Sequence, residues 1–257
     1  MSLDLNTLSL SALLGALGRK TLNVALPPHC GLCHAEVDAP ATLCATCWTR
    51  ISFIVPPVCT CCGVPFDRDW GPGTLCATCI ESHPTFGQAR AAVLYDDAVR
   101  SLILALKHGD RHDLVALFAT WIYRAGTDFW STADLIVPVP LHWSRLWSRR
   151  FNQSALISQT VGKLSSIPVG VDAVTRTRRT PSQGGLGRRD RLRNVRQAFS
   201  VRKSAITKIQ GKHVVVIDDV LTTGATVSQV ADALHKAGAA RIDVVTVARV
   251  ENKPQSP

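Results

Sequence analysis

Two neighbouring carboxylates, Asp218 and Asp219, are followed within a few residues by Thr222-Thr223-Gly224-Ala225-Thr226. Threonine hydroxyls, a glycine and a helix start are a phosphate cradle. The first N–H groups of a helix lack intrahelical acceptors, and the helix dipole favours an anion there. Two carboxylates would repel a bare phosphate, so they must face sugar hydroxyls, a divalent cation, or both. A ribose 5-phosphate meets both demands, with its phosphate in the turn and its 2- and 3-hydroxyls on the acids. The second chemical set is nine cysteines, all within residues 30–79. Eight form CxxC pairs: Cys30 and Cys33, Cys44 and Cys47, Cys59 and Cys62, Cys76 and Cys79. A CxxC turn offers two thiolates to one metal, and two such knuckles complete a tetrahedral zinc site with no open position, hence a structural one. Consecutive pairing gives two zinc ribbons, while pairing across them suits the same spacing, so one or two zinc sites and either connectivity stay open. Cys61 is left over inside the second knuckle, and His29, His34 and His83 are reserve ligands beside the pairs.

The acids need a rigid element to carry them. Val214 to Ile217 is a run of β-branched residues, the pattern of a strand buried on both faces. From Val227 onward the apolar residues recur at helical spacing, which predicts a helix to about Ala237. No G-x-x-x-x-G-K-[ST] occurs, so the strand does not read as part of a P-loop site. Upstream, 89–95 reads as a strand, and Asp97 opens a helix with Val99, Leu102, Ile103 and Leu106 on one face and Gly109 as its C-cap. A helix over 114–123, a strand over 135–140 ended by its prolines, and a helix over 154–164 follow. An arginine-rich segment over 176–196 precedes strands near 198–201 and 242–250. Strands alternating with helices predict an α/β domain with a mainly parallel sheet covered on both sides. The expected division is an N-terminal segment, 1–27, with a short amphipathic helix (Leu10, Leu13, Leu14, Leu17). A double zinc ribbon over 28–84 and the α/β domain over 88–252 complete it.

With 257 residues, 46% of them hydrophobic and 19% charged, the chain can bury a core and is not read as disordered. Its net charge of +10 calls for phosphate-bearing partners, either nucleic acid or a polyphosphate substrate. The first residues lack a basic signal-peptide start, and no apolar run approaches the roughly 20 residues of a membrane span, so the cytoplasm is expected and no membrane insertion. In that compartment paired cysteines are metal ligands rather than disulfides. Few charges lie within 30–79, which argues against a basic stripe on the ribbons, and Trp48, Phe53 and Trp70 read as small-core fillers.

The order of motifs carries a resemblance. CxxC knuckles lead to Leu-Lys-His-Gly-Asp-Arg (106–111), Val-Pro-Val-Pro-Leu-His (137–142) and Arg-Arg-Phe-Asn-Gln-Ser (149–154). Arg-Thr-Pro-Ser-Gln-Gly-Gly-Leu (179–186), Arg191, Asn194 and Ile-Asp-Asp-Val-Leu-Thr-Thr-Gly-Ala-Thr (217–226) complete the series. The last stretch resembles the PRPP-binding signature of type I phosphoribosyltransferases, and the whole resembles the ComF family, a double zinc ribbon joined to such a domain. The resemblance implies PRPP with Mg2+ as ligand, held by Asp218 and Asp219 on the ribose and by Thr222, Thr223, Gly224, Ala225 and Thr226 on the 5-phosphate. It also implies a role in competence and the use of incoming DNA. Lys107, Gly109 and Arg111 match a family motif near the site, and Lys107, Arg111, Arg145, Arg149, Arg150, Gln183 and Arg191 are candidates for holding pyrophosphate or forming a hood. The chain departs from the family pattern at Arg150, where glycine is usual, and at Ser182, where lysine is common. The implied reaction is displacement of pyrophosphate from C1 of PRPP, nucleoside chemistry in the broad sense. The alternative is a catalytically silent module that binds a nucleotide, single-stranded DNA and a helicase-like partner, with Arg178, Arg179, Arg188, Arg189, Arg193 and Arg196 tracking the phosphates and Trp143 and Trp147 stacking bases.

Overall fold

A computed structural model describes residues 27–108, 111–141, 151–177 and 198–251. The chain divides into two compact units, 1–49 and 50–257, so the boundary falls between the two cysteine ribbons. The expected N-terminal helix lies outside the described residues.

The ribbons repeat one local design. In the first, Cys30 N–H donates to the Ala35 carbonyl, His34 N–H to that of Cys30, and Val37 N–H to that of Pro28. In the second, Cys59 N–H bonds Val64, Gly63 N–H bonds Cys59, and Phe66 N–H bonds Pro57. A short helix carries each second knuckle, with the first cysteine as N-cap and the second inside it: α1 (Ala45–Trp48) and α2 (Ala77–Glu81). The residue after the first knuckle is left-handed in both, His34 at φ 63° and Gly63 at φ 71°. At Gly63 a side chain is barred twice, because a Cβ would also stand 2.5 Å from the Ala89 carbonyl oxygen.

Beyond the second ribbon come β1 (Ala89–Leu94), α3 (Asp97–His108), α4 (Leu114–Ala125), α5 (Thr127–Trp130), β2 (Leu135–Pro138) and α6 (Gln153–Ser165). Then follow β3 (Val174–Arg176), β4 (Phe199–Val201), α7 (Ile206–Ile209), β5 (His213–Leu221), α8 (Ala225–Lys236) and β6 (Arg241–Arg249). The main sheet has the order β1-β6-β5-β2 and every neighbour is parallel. β3 and β4 form a separate antiparallel pair. Val214, Val215, Val216 and Ile217 are fully buried, as a central parallel strand requires. Each such side chain contributes about 1.5–3 kcal/mol of burial. α3 buries Val99, Leu102, Ile103 and Leu106, the face its spacing predicts. Its expected cap, Gly109, lies outside the described residues.

Two sequence expectations need correction. β5 does not stop at Ile217: β2 ends at Pro138, but β6 continues alongside and pairs Asp218 with Thr246, Val220 with Ala248 and Leu221 with Arg249. The acids therefore sit on a strand anchored on one side only. The tryptophans of the ribbons are not core fillers either: Trp48 is 42% exposed and Trp70 56% exposed, the latter under the Arg68 guanidinium at 4.2 Å. These modules are too thin to cover a large ring. Phe53 packs edge-on against Trp121 of α4, ring centroids 5.4 Å apart, and so belongs to the α/β domain.

At the amino ends of β5 and β6 a buried brace sets their register. Asp243, fully buried, accepts from the Gln88 N–H at 2.8 Å and from Arg241 Nε at 2.8 Å, and lies 2.9 Å from His213 Nε2. The Thr132 hydroxyl lies 3.1 Å from the other ring nitrogen. Donation from Nε2 to the carboxylate leaves Nδ1 to accept from Thr132.

Candidate functional site

The acid pair stands at the carboxyl end of the sheet, opposite this brace. Parallel α/β sheets bind ligands there because loops and helix starts converge beyond the strand ends. Val139 N–H still bonds the Ile217 carbonyl (2.9 Å), so the chain leaving β2 diverges from β5 just before Asp218. That chain returns at Asn152, whose side chain caps α6 by accepting from Ser154 N–H and donates to the Val139 carbonyl (both 3.1 Å). The cap places the Ser154 hydroxyl 3.1 Å from Asp218 Oδ1, which also accepts the Asp219 N–H at 2.9 Å. Asp219 Oδ2 meets Lys107 Nζ at 2.5 Å, the lysine reaching in from the last turn of α3.

Burial pushes the Asp218 carboxyl up, and the Asp219 charge adds to the rise. The Asp219 N–H, Lys107 and the Ser154 hydroxyl oppose them, and the balance lies at about 7. A proton held there near neutrality is readily displaced by an arriving cation.

Past Leu221 the backbone turns through Thr222, Thr223 and Gly224 into α8. Gly224 is left-handed, φ 76°, and forms the N-cap without a side chain of its own. The Thr223 hydroxyl faces the Ala225 N–H at 3.4 Å. A Cβ on Gly224 would only touch Phe86 at 3.8 Å, so the glycine serves the backbone conformation and its open approach.

Of the other expected residues, Arg111 forks onto Asp113 at 2.6 and 2.8 Å. Gly109, Arg145, Arg149, Arg150, Ser182, Gln183 and Arg191 lie outside the described residues, as do the remaining arginines of 178–197 and the pair Trp143 and Trp147. Two contributors were not read as site residues: Ser154, which closes the 149–154 motif but lies 64 residues from its acid, and Phe86 beside Gly224, which carries no sequence signal.

The cysteines assemble as consecutive pairs. Cys30, Cys33, Cys44 and Cys47 place their sulfurs within 4.8 Å of one another, and Cys59, Cys62, Cys76 and Cys79 do the same. Two tetrahedral sites follow, with no histidine in either cluster among the described residues. Cys33 and Cys44 Sγ stand 3.6 Å apart, as do Cys62 and Cys76. Zn–S bonds of about 2.3 Å in a tetrahedron put sulfurs about 3.8 Å apart, so both sets fit zinc. Backbone N–H groups of Cys44 and Cys76 point at Cys30 and Cys59 Sγ (both 3.3 Å). Burial raises the Cys30 thiol, but N–H groups of Cys33, Cys44 and Leu32 outweigh it and bring it to about 6. Cys59 falls to about 4 through the Cys62 thiol and N–H groups of Cys62, Cys76 and Cys61, against burial.

Comparison with known proteins agrees. Residues 21–80 match the double zinc ribbon domain family and 148–257 the phosphoribosyl transferase domain family. The chain is thus a phosphoribosyltransferase-fold protein carrying a zinc-ribbon module. DNA utilization protein YhgH of Escherichia coli is 31% identical over 87% of this chain and 98% of its own length. Competence protein F of Haemophilus influenzae is 30% identical over 80% of this chain and 90% of that protein. The chain belongs to this family, the ComF/YhgH family. Among solved structures, the glutamine PRPP amidotransferase of B. subtilis is similar at 21% identity and TM-score 0.35, over 52% of this chain and 26% of that one. Among the described residues, no helix is long and apolar enough to cross a membrane.

Proposed function

We propose that the site binds PRPP with Mg2+ and that the protein is a phosphoribosyltransferase serving the use of incoming DNA. One observation carries the reading: an acid pair and a threonine-glycine helix start share the carboxyl end of one strand. Asp218 and Asp219 take the ribose hydroxyls, and residues 222–226 take the 5-phosphate with N–H groups and hydroxyls. Lys107 would have to leave Asp219, or stay and face pyrophosphate, as ligand enters. Mg2+, for which Asp218 and Asp219 offer carboxylate oxygens, would supply neutralising charge to the leaving group when bound. Lys107, Arg111, Arg145, Arg149, Arg150, Gln183 and Arg191 are the chain's own candidates for the same task. Ser154 positions Asp218, whose carboxyl, held at about 7, can accept a hydrogen bond from a ribose hydroxyl or donate one to it near neutral pH. Labelled PRPP, Mg2+ and a panel of nucleobases test the transfer. Release of pyrophosphate dependent on one acceptor is expected, and absence of turnover with all of them counts against an enzyme.

The names of the relatives and the net charge of +10 favour a second role, binding of single-stranded DNA with a helicase-like partner. The arginines of 178–196 are its contact candidates. Retention of single strands independent of salt would remove its electrostatic basis.

A further inference from the structure

Arg249, the last residue of β6, is 7% exposed. Its Nη1 donates to the Cys62 carbonyl at 2.5 Å and its Nη2 to Cys62 Sγ at 3.3 Å. Among the described residues its Nε has no hydrogen-bond partner and no ion pair gives it a carboxylate. A guanidinium stays charged at any physiological pH, and an uncompensated buried charge costs several kcal/mol. The side-chain atom it touches is the sulfur of Cys62. As a thiol that sulfur offers little; in a zinc centre with four thiolates the cluster carries a net charge of −2.

We infer that Arg249 is the counter-charge of the second zinc centre, a positioning residue through which zinc there orders the strand end that bears the phosphate-turn residues. The linkage is short. Arg249 is the cross-strand partner of Leu221, Val250 N–H donates to the Leu221 carbonyl at 2.9 Å, and Thr222 comes next. The same ribbon is also bound to β1, the edge strand beside β6. Ala89 N–H donates to the Cys61 carbonyl at 2.6 Å, Arg90 Nη1 to that of Thr60 at 3.1 Å, and Gly63 lies against Ala89. Cys59, Cys61, Cys62 and Cys79 share one buried cluster with Val214, Val216 and Leu221. The repeat sets Cys33 where the second ribbon has Cys62, yet Cys33 is exposed. The two centres are therefore unequal, and the second belongs physically to the ligand-binding domain.

Chelator competition on the full chain tests this in a Cys33→Ser background, which disables the first centre. Adding Arg249→Met should weaken zinc at the remaining centre about 10–100-fold, the usual loss when a group bonded to a metal ligand is removed. Arg249→Lys, which keeps the charge, should recover part of it. In the same Cys33→Ser background, cobalt in place of zinc should show altered thiolate charge-transfer absorption on adding Arg249→Met, and a smaller change on adding Arg249→Lys. Hydrogen exchange on the unmutated protein covers the case in which Arg249→Met fails to fold. Removing zinc should speed exchange at Val250 and residues 221–224. Equal zinc affinity with and without Arg249, or exchange there indifferent to zinc, overturns the inference.

Discussion

Replacing Asp218 with asparagine should stabilise the protein at alkaline pH while disabling its site. The carboxyl is held at about 7 against an ordinary 3.8, so the fold disfavours its charged form. The folded state binds the proton more tightly than the unfolded chain, so stability falls as pH rises from 3.8 to 7, and the full cost stands above 7. At about 1.4 kcal/mol per pH unit that interval is worth up to about 4 kcal/mol. Asparagine mimics the protonated acid, and its Oδ1 can still accept from the Asp219 N–H and the Ser154 hydroxyl, which lie 2.9 and 3.1 Å from Asp218 Oδ1. Equilibrium urea unfolding of zinc-loaded protein should show Asp218→Asn more stable than the parent by about 2–4 kcal/mol at about pH 8, and by under about 2 at about pH 5. A variant less stable than the parent at pH 8, or a difference that does not change with pH, would refute this electrostatic picture.

Lys107→Met should raise the Asp218 carboxyl further, since the lysine is one of the groups holding it down; an NMR pH titration reads the shift. Gly63→Ala combines a left-handed φ with a Cβ 2.5 Å from the Ala89 oxygen, and should cost about 2–4 kcal/mol, seen as a lower Tm and loss of one bound zinc. Gly224→Ala meets strain without a clash, so the fold should lose only about 1–2 kcal/mol while PRPP affinity falls at least about tenfold in calorimetry. If single strands bind, filter retention should weaken by more than about tenfold between about 50 and 200 mM salt.

Local chemistry was legible in the chain. The β-branched run at 214–217 announced a buried strand, and the spacing of Val99, Leu102, Ile103 and Leu106 announced the face of α3, because each signal lies within one element. CxxC spacing announced all four zinc knuckles but not their pairing, which depends on how two turns meet in space. Ser154 on Asp218 and Arg249 on Cys62 join residues 64 and 187 positions apart, and no periodicity reports such contacts. The extension of β5 through both acids depends on β6 outrunning β2, a property of three strands together. The exposure of Trp70 likewise reflects how little a ribbon can cover.

Calorimetric titration of the zinc-loaded protein with PRPP, with and without Mg2+, tests the central claim most directly, with an Asp218→Asn/Asp219→Asn variant beside it. Saturable 1:1 binding that needs Mg2+ and is at least about a hundredfold weaker in the variant is expected. Equal affinity in the two proteins would contradict it.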